Sequence, residues 1–140
     1  MYCHVKIRLM KSPGFNMELL FRALADRTRL RLLNLIGGDE VCVCYFVEVM
    51  RLPQPKISRH LAYLKRAGIV GSRREGKWMH YRVVAPGDPQ AAKVLKDVES
   101  WLSQDKEMQR DRSRLVQMCC AKLPVRLEGA PNPLRLLSGV

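Results

Sequence analysis

Apolar residues recur along this chain first at helical and then at alternating spacing, and the elements follow from where the period changes. From Met17 onward, Leu20, Ala23 and Leu24 form one helical stripe; Leu30 and Leu33, flanked by Leu32 and Ile36, form a second. Asp26 stands where the second helix needs an N-cap, and Gly37-Gly38 ends it. A third, short helix is predicted over about residues 41–50. The turn R-L-P-Q then leads into residues 54–68, Q-P-K-I-S-R-H-L-A-Y-L-K-R-A-G, where Ile57, Leu61 and Leu64 fall at i, i+4 and i+7. Pro55 suits the first turn of this helix and Gly68 the left-handed residue after its last. Beyond Gly68 the residues Ile69, Val70, Trp78, Met79, Tyr81, Val83 and Val84 are branched, aromatic or apolar and are broken at Glu75-Gly76, which predicts a β-hairpin. Asp88-Pro89 opens another helix with the stripe Ala91, Val94, Leu95, Val98, Trp101 and Leu102. Residues 103–114 alternate in charge and are expected to continue as a solvated helix to about residue 123.

Two helices joined by a turn of about four residues, the second of them basic, make a helix-turn-helix, and a basic hairpin directly after it makes a wing. The expected fold is therefore mainly α with a β-hairpin wing, a winged helix-turn-helix. The expected organisation is a basic arm over residues 1–16, one DNA-binding and dimerisation domain over 17–103, a helical extension with a cysteine pair over 104–123, and a disordered tail over 124–140. Met17 offers a second possible translation start. The stripe from Ala91 to Leu102 is large for a terminal helix in so small a domain, and it predicts packing on the same helix of a second subunit. The competing reading is an intramolecular cap on the first two helices.

Composition sharpens this. The 140 residues are 47% apolar, enough for one globular domain, and the net charge of +12 is unevenly spread. Between Arg51 and Arg82, nine Lys or Arg stand against Glu75 alone. That is the electrostatic footprint of a nucleic-acid binder, although an anionic membrane surface would attract it too. A solvated helix face is the bland reading of the basic helix, and the wing beside it argues for DNA. Arg73, Arg74 and Lys77 cluster at the tip of the wing, where they would bind phosphate. No apolar run is long enough to span a bilayer and no secretory core follows the first residues, so a cytoplasmic protein without membrane contact is expected.

The five cysteines are Cys3, Cys42, Cys44, Cys119 and Cys120. An odd number without a signal peptide argues against a disulfide framework and leaves reduced thiols, metal ligation or redox sensing. Thiolates are soft, so two or three of them without histidine point to a thiophilic ion. On a regular helix Cys42 and Cys44 would point about 200° apart, and gripping one ion would then require that turn to unwind. Both could instead be small buried hydrophobes. There is no Cys-x-x-Cys motif, no nucleotide loop and no positioned acid–base pair, which argues against an enzyme and against an organic cofactor.

The segments A-L-A-D-R-T-R-L-R-L-L, E-V-C-V-C, Q-P-K-I-S-R-H-L-A-Y-L-K-R-A-G-I-V and R-R-E-G-K-W-M-H-Y-R-V, in this order and at these spacings, strongly resemble the ArsR/SmtB family of metal-responsive repressors. The resemblance runs from about Leu19 to Val84, and more loosely through the helix after Asp88. It implies a homodimer that holds double-stranded operator DNA until an ion binds. Within the family E-[LV]-C-V-C marks the branch that senses arsenite and antimonite, with cadmium and lead relatives, which implies As(III) or Sb(III) as inducer. Gln54, Lys56, Ser58 and Arg59 match the family's base- and phosphate-contacting positions, with His60 nearer the core edge. Two departures stand out: the third cysteine of the arsenic branch is Val47 here, and the acidic residue after the pair is Tyr45. A third thiolate must then come from elsewhere, with Cys119 or Cys120 ranked ahead of Cys3 of the other subunit. The zinc site that some members build between their last helices is not expected, because no histidine follows His80. A redox or persulfide sensor on the same fold is the alternative.

Overall fold

The computed structural model describes residues 15–120. The arm expected before that stretch, including Cys3, and the tail expected after it lie outside the described residues. Helix α1 spans Met17–Leu24 and α2 spans Arg27–Ile36, with Asn16 and Asp26 as N-caps accepting from the amides of Leu19 and Arg29. Gly37 ends α2 at a φ of 54°, a conformation that costs glycine little. Then come β1 (Glu40–Cys42), α3 (Val43–Met50), α4 (Gln54–Arg66), β2 (Val70–Glu75), β3 (Trp78–Val83), α5 (Pro89–Leu102) and α6 (Lys106–Cys120). The antiparallel sheet has the order β1-β3-β2, so the hairpin is joined by a third, very short strand.

The core lies between α2, α3, α4 and the inner face of the sheet. Leu32, Leu33, Ile36, Phe46, Ile57, Leu61, Leu64 and Ile69 are all closed to solvent in it. The helix-turn-helix pair is α3 and α4. Its turn opens with Arg51 in the left-handed conformation and runs into Pro53, which stands at the N-cap of α4.

Two expectations are corrected. The third helix was expected from about residue 41, but the chain stays extended through Cys42 and turns helical only at Val43. The cause is long-range: Val41 and Cys42 pair with Tyr81 and His80 of β3, and a three-residue strand has too little of its own pattern to show in sequence. The second correction concerns the charged C-terminal segment, which is not a solvated continuation of α5. The chain breaks after α5, Asp105 caps a new helix through the amides of Glu107 and Met108, and α6 folds back onto α2 and α3. Met108, Asp111 and Leu115 are buried by this packing. The charges find partners across the interface: Arg31 pairs with Asp111 at 2.6 and 2.9 Å, Arg112 with Asp39 at 2.7 Å, and Arg27 with Asp105 and Glu107. On α5, Ala91, Leu95 and Leu102 are buried, whereas Trp101 is 76% exposed. Met17 and Phe21 of α1 are also exposed.

Candidate functional site

Helix α4 presents its charged side outward because its apolar side is anchored at Ile57, Leu61 and Leu64. Gln54, Lys56 and Arg59 are exposed, and Ser58 is half-buried beside them. His60 is turned toward α2: its Nδ1 lies 3.3 Å from an Arg29 Nη1 and 3.8 Å from Asp26 Oδ1. Burial holds the His60 pKa below the ordinary histidine value, with the charges of Arg29, Lys56 and Arg59 acting the same way and Asp26 opposing them. On the wing, Arg74 and Lys77 are exposed, and the Lys77 ammonium sits 5.2 Å from the centre of the Trp78 ring. Arg73 is engaged differently. Its Nε donates to both carboxylate oxygens of Glu40 at 2.8 and 2.9 Å, and Nη1 donates to Glu75 at 3.1 Å, which bolts β2 to β1. Sequence had no means of seeing Glu40 as its partner, because the pairing depends on strand β1.

The cysteine pair sits where β1 becomes α3. Cys42 is the N-cap of α3 in extended conformation and is fully buried, and Cys44 is half-buried one residue into the helix. With Cys42 off the helix the 200° divergence does not apply, and the two sulfurs lie 3.1 Å apart, Cys44 donating to Cys42. The pair titrates as a unit, and the first proton leaves Cys42. The hydrogen bond from Cys44 lowers the Cys42 pKa from 9.0 to about 7, helped by the amides of Cys44, Met79 and Val43 against the cost of burial. The same bond, followed by burial and the neighbouring thiolate, pushes Cys44 up. Two phenols flank the sulfurs. Tyr45 is raised to about 12 by burial and by the charges of Cys119, Cys44 and Cys42, and Tyr81 is raised by burial and by Cys42.

Cys119 is half-buried on α6, near enough to act electrostatically on Tyr45, because α6 packs against α3. Among the described residues, no three His, Cys, Asp or Glu side chains converge as an ion-binding group. The structure thus brings Cys42 and Cys44 together, sets Cys119 on the adjoining helix, and ends α6 at Cys120. Also among the described residues, no helix is long and apolar enough to cross a membrane.

A basic helix set outward after a tight turn, with a three-stranded wing beside it, defines a winged helix-turn-helix DNA-binding regulator. Residues 26–72 match the family described as "Bacterial regulatory protein, arsR family". The arsenic resistance transcriptional regulator ArsR1 of Pseudomonas putida is 46% identical over 105 residues, 66% of this chain and 81% of that protein. The arsenical resistance operon repressor of Escherichia coli is 38% identical over 103 residues, 73% of this chain and 86% of that protein. Reduced HlyU from Vibrio cholerae shares the fold with a TM-score of 0.52 at 25% identity, covering 60% of this chain and 85% of its own. The chain belongs to the ArsR family; it is a DNA-binding transcriptional repressor and not an enzyme.

Proposed function

We propose that this repressor is a cytoplasmic homodimer that holds operator DNA through α4 and the wing, and that As(III) or Sb(III), bound by the thiolates of Cys42 and Cys44, releases it. The observation that carries the reading is the 3.1 Å separation of the two sulfurs. With metal–sulfur bonds of about 2.3 Å, sulfurs at that separation subtend about 85° at a shared atom. This is well short of tetrahedral and close to the right angle that a trivalent metalloid with a lone pair favours. The low pKa of Cys42 supplies one thiolate near neutral pH. The names of the arsenic-resistance relatives support the same ion class.

The site lies at a junction of two routes to DNA. Cys42 pairs with His80 in the central strand of the wing, and Cys44 stands in the first turn of the helix whose other end turns into α4. An ion drawing the two sulfurs into its own geometry would shift both, and operator affinity would fall with the population so displaced. Cys119, or Cys120 after it, is the proposed third sulfur, supplied from α6 where it packs against α3. Gln54, Lys56, Ser58 and Arg59 would read bases and phosphates, with Arg74 and Lys77 on the backbone and Arg73 joining them only by leaving Glu40.

The test is operator release followed by fluorescence anisotropy, using a duplex selected from a random pool. Micromolar arsenite or antimonite should free the wild type, whereas Cys42→Ser and Cys44→Ser should stay bound; undiminished release in both variants would refute the site. Release by Cd(II) or Pb(II) alone would reassign the ion, and release by oxidant alone would reassign the signal. X-ray absorption of the arsenite-loaded protein should count three sulfurs, falling to two in Cys119→Ser/Cys120→Ser.

A further inference from the structure

Packing through Ile57, Leu61 and Leu64 turns the apolar face of α4 to the core, but apolar contact is non-directional and sets the angle of the helix about its axis only coarsely. Nor is the N-terminus of α4 pinned by a side-chain cap, since Pro53 occupies that position. A directional contact exists on its flank. Arg29 of α2, only 12% exposed, donates from Nε to Ala23 O and from Nη2 to Arg22 O, both at 2.8 Å, which binds its guanidinium to the last carbonyls of α1. The Cζ of that guanidinium lies over the Tyr63 ring, 4.2 Å from its centre, and its Nη1 reaches His60 Nδ1 at 3.3 Å. His60 and Tyr63 are one turn apart on the same flank of α4. Arg66 lies 4.8 Å from the same Tyr63 ring.

We propose that Arg29 is the positioning residue of the operator-reading surface, fixing the rotational setting of α4 against the C-terminus of α1 by a fork to two carbonyls, a stack on Tyr63 and a hydrogen bond to His60. A planar guanidinium can make all three contacts at once; an ammonium cannot. The hydrogen bond requires His60 to accept at Nδ1, and the lowered pKa of His60 keeps it neutral for that role. Base recognition depends on this setting more than phosphate contact does, because a bidentate contact to a base edge tolerates little misorientation while a cation near a phosphate tolerates much. Arg29 therefore acts on specificity and touches no DNA.

The test measures binding of full-length Arg29→Lys and Tyr63→Leu to a selected operator duplex and to a random-sequence duplex of equal length, over a salt series. The expected result for Arg29→Lys is operator affinity lower by about tenfold, roughly the loss of one base contact, with random-duplex affinity and the salt slope unchanged. Tyr63→Leu should move the same way by less, and the double variant should lose less than the two added together. A parallel fall on both duplexes with a salt slope shallower by about one would make Arg29 a phosphate contact and overturn the proposal. Wild-type operator affinity in Arg29→Lys would overturn it too. If Arg29→Lys fails to fold, Tyr63→Leu decides: a lost operator preference sustains the proposal, and a retained one defeats it.

Discussion

Cys42 is the residue whose chemistry owes most to its immediate surroundings. Its pKa of about 7 rests chiefly on one donated hydrogen bond, so Cys44→Ala should carry the Cys42 titration back up toward 9.0, as read by thiolate absorbance in the far ultraviolet. An unchanged titration would show that the three backbone amides suffice. Because the folded value lies below the unfolded one, this group adds stability that is complete above about pH 9 and fades as pH falls through 7. Sequence supplied the spacing of the two cysteines but not their approach, which depends on Cys42 being extended. In the same way Arg29 was legible as part of D-R-T-R but not as a neighbour of His60 and Tyr63, because the contact spans separate helices.

At the scale of elements, α6 differs most from its sequence pattern. Alternating charge reads as a solvated face, yet Asp111 is 2% exposed and is held by both arms of Arg31, which is itself 16% exposed. Removing one partner of such a pair strands the other. Asp111→Ala should therefore lower unfolding stability by about 3 kcal/mol in urea titrations. The exposed Arg27 pairs with Asp105 and Glu107 are screened by solvent, and Arg27→Ala should change the urea midpoint little. Equal effects would mean that burial of Asp111 does not distinguish the two. If α6 carries a thiolate to the inducer, Asp111→Ala should also weaken the arsenite response more than it weakens operator binding.

Among the described residues, large apolar side chains stand open to solvent at Met17 and Phe21 on α1, Trp101 on α5 and Val116 on α6. Exposed large apolar residues of this kind mark interaction sites, and the proposed dimer would cover them. Trp101→Glu should give a monomer in sedimentation and weaken operator binding, since a monomer meets one half-site only. A dimer that persists in Trp101→Glu and Phe21→Glu would move the subunit contact elsewhere. The charge is organised at this scale too: the nine cations from Arg51 to Arg82 lie on the turn before α4, on α4 and on the wing.

Local periodicity and turn chemistry determined the helix-turn-helix, the wing and the outward charge of α4, because 3.6-residue and two-residue repeats, caps and glycines act within a few positions of one another. The E-V-C-V-C and recognition-helix motifs determined the family by resemblance, and the family match bears that out. Tertiary structure alone decided that Cys42 stays on a strand with its sulfur against Cys44, that Arg73 is claimed by Glu40, that α6 buries one face against α2 and α3, and that Arg29 joins α1 to α4. Each of these rests on groups far apart in the chain, from 31 residues between Arg29 and His60 to 80 between Arg31 and Asp111. No local repeat encodes such separations; they form only when the core closes and brings the partners together.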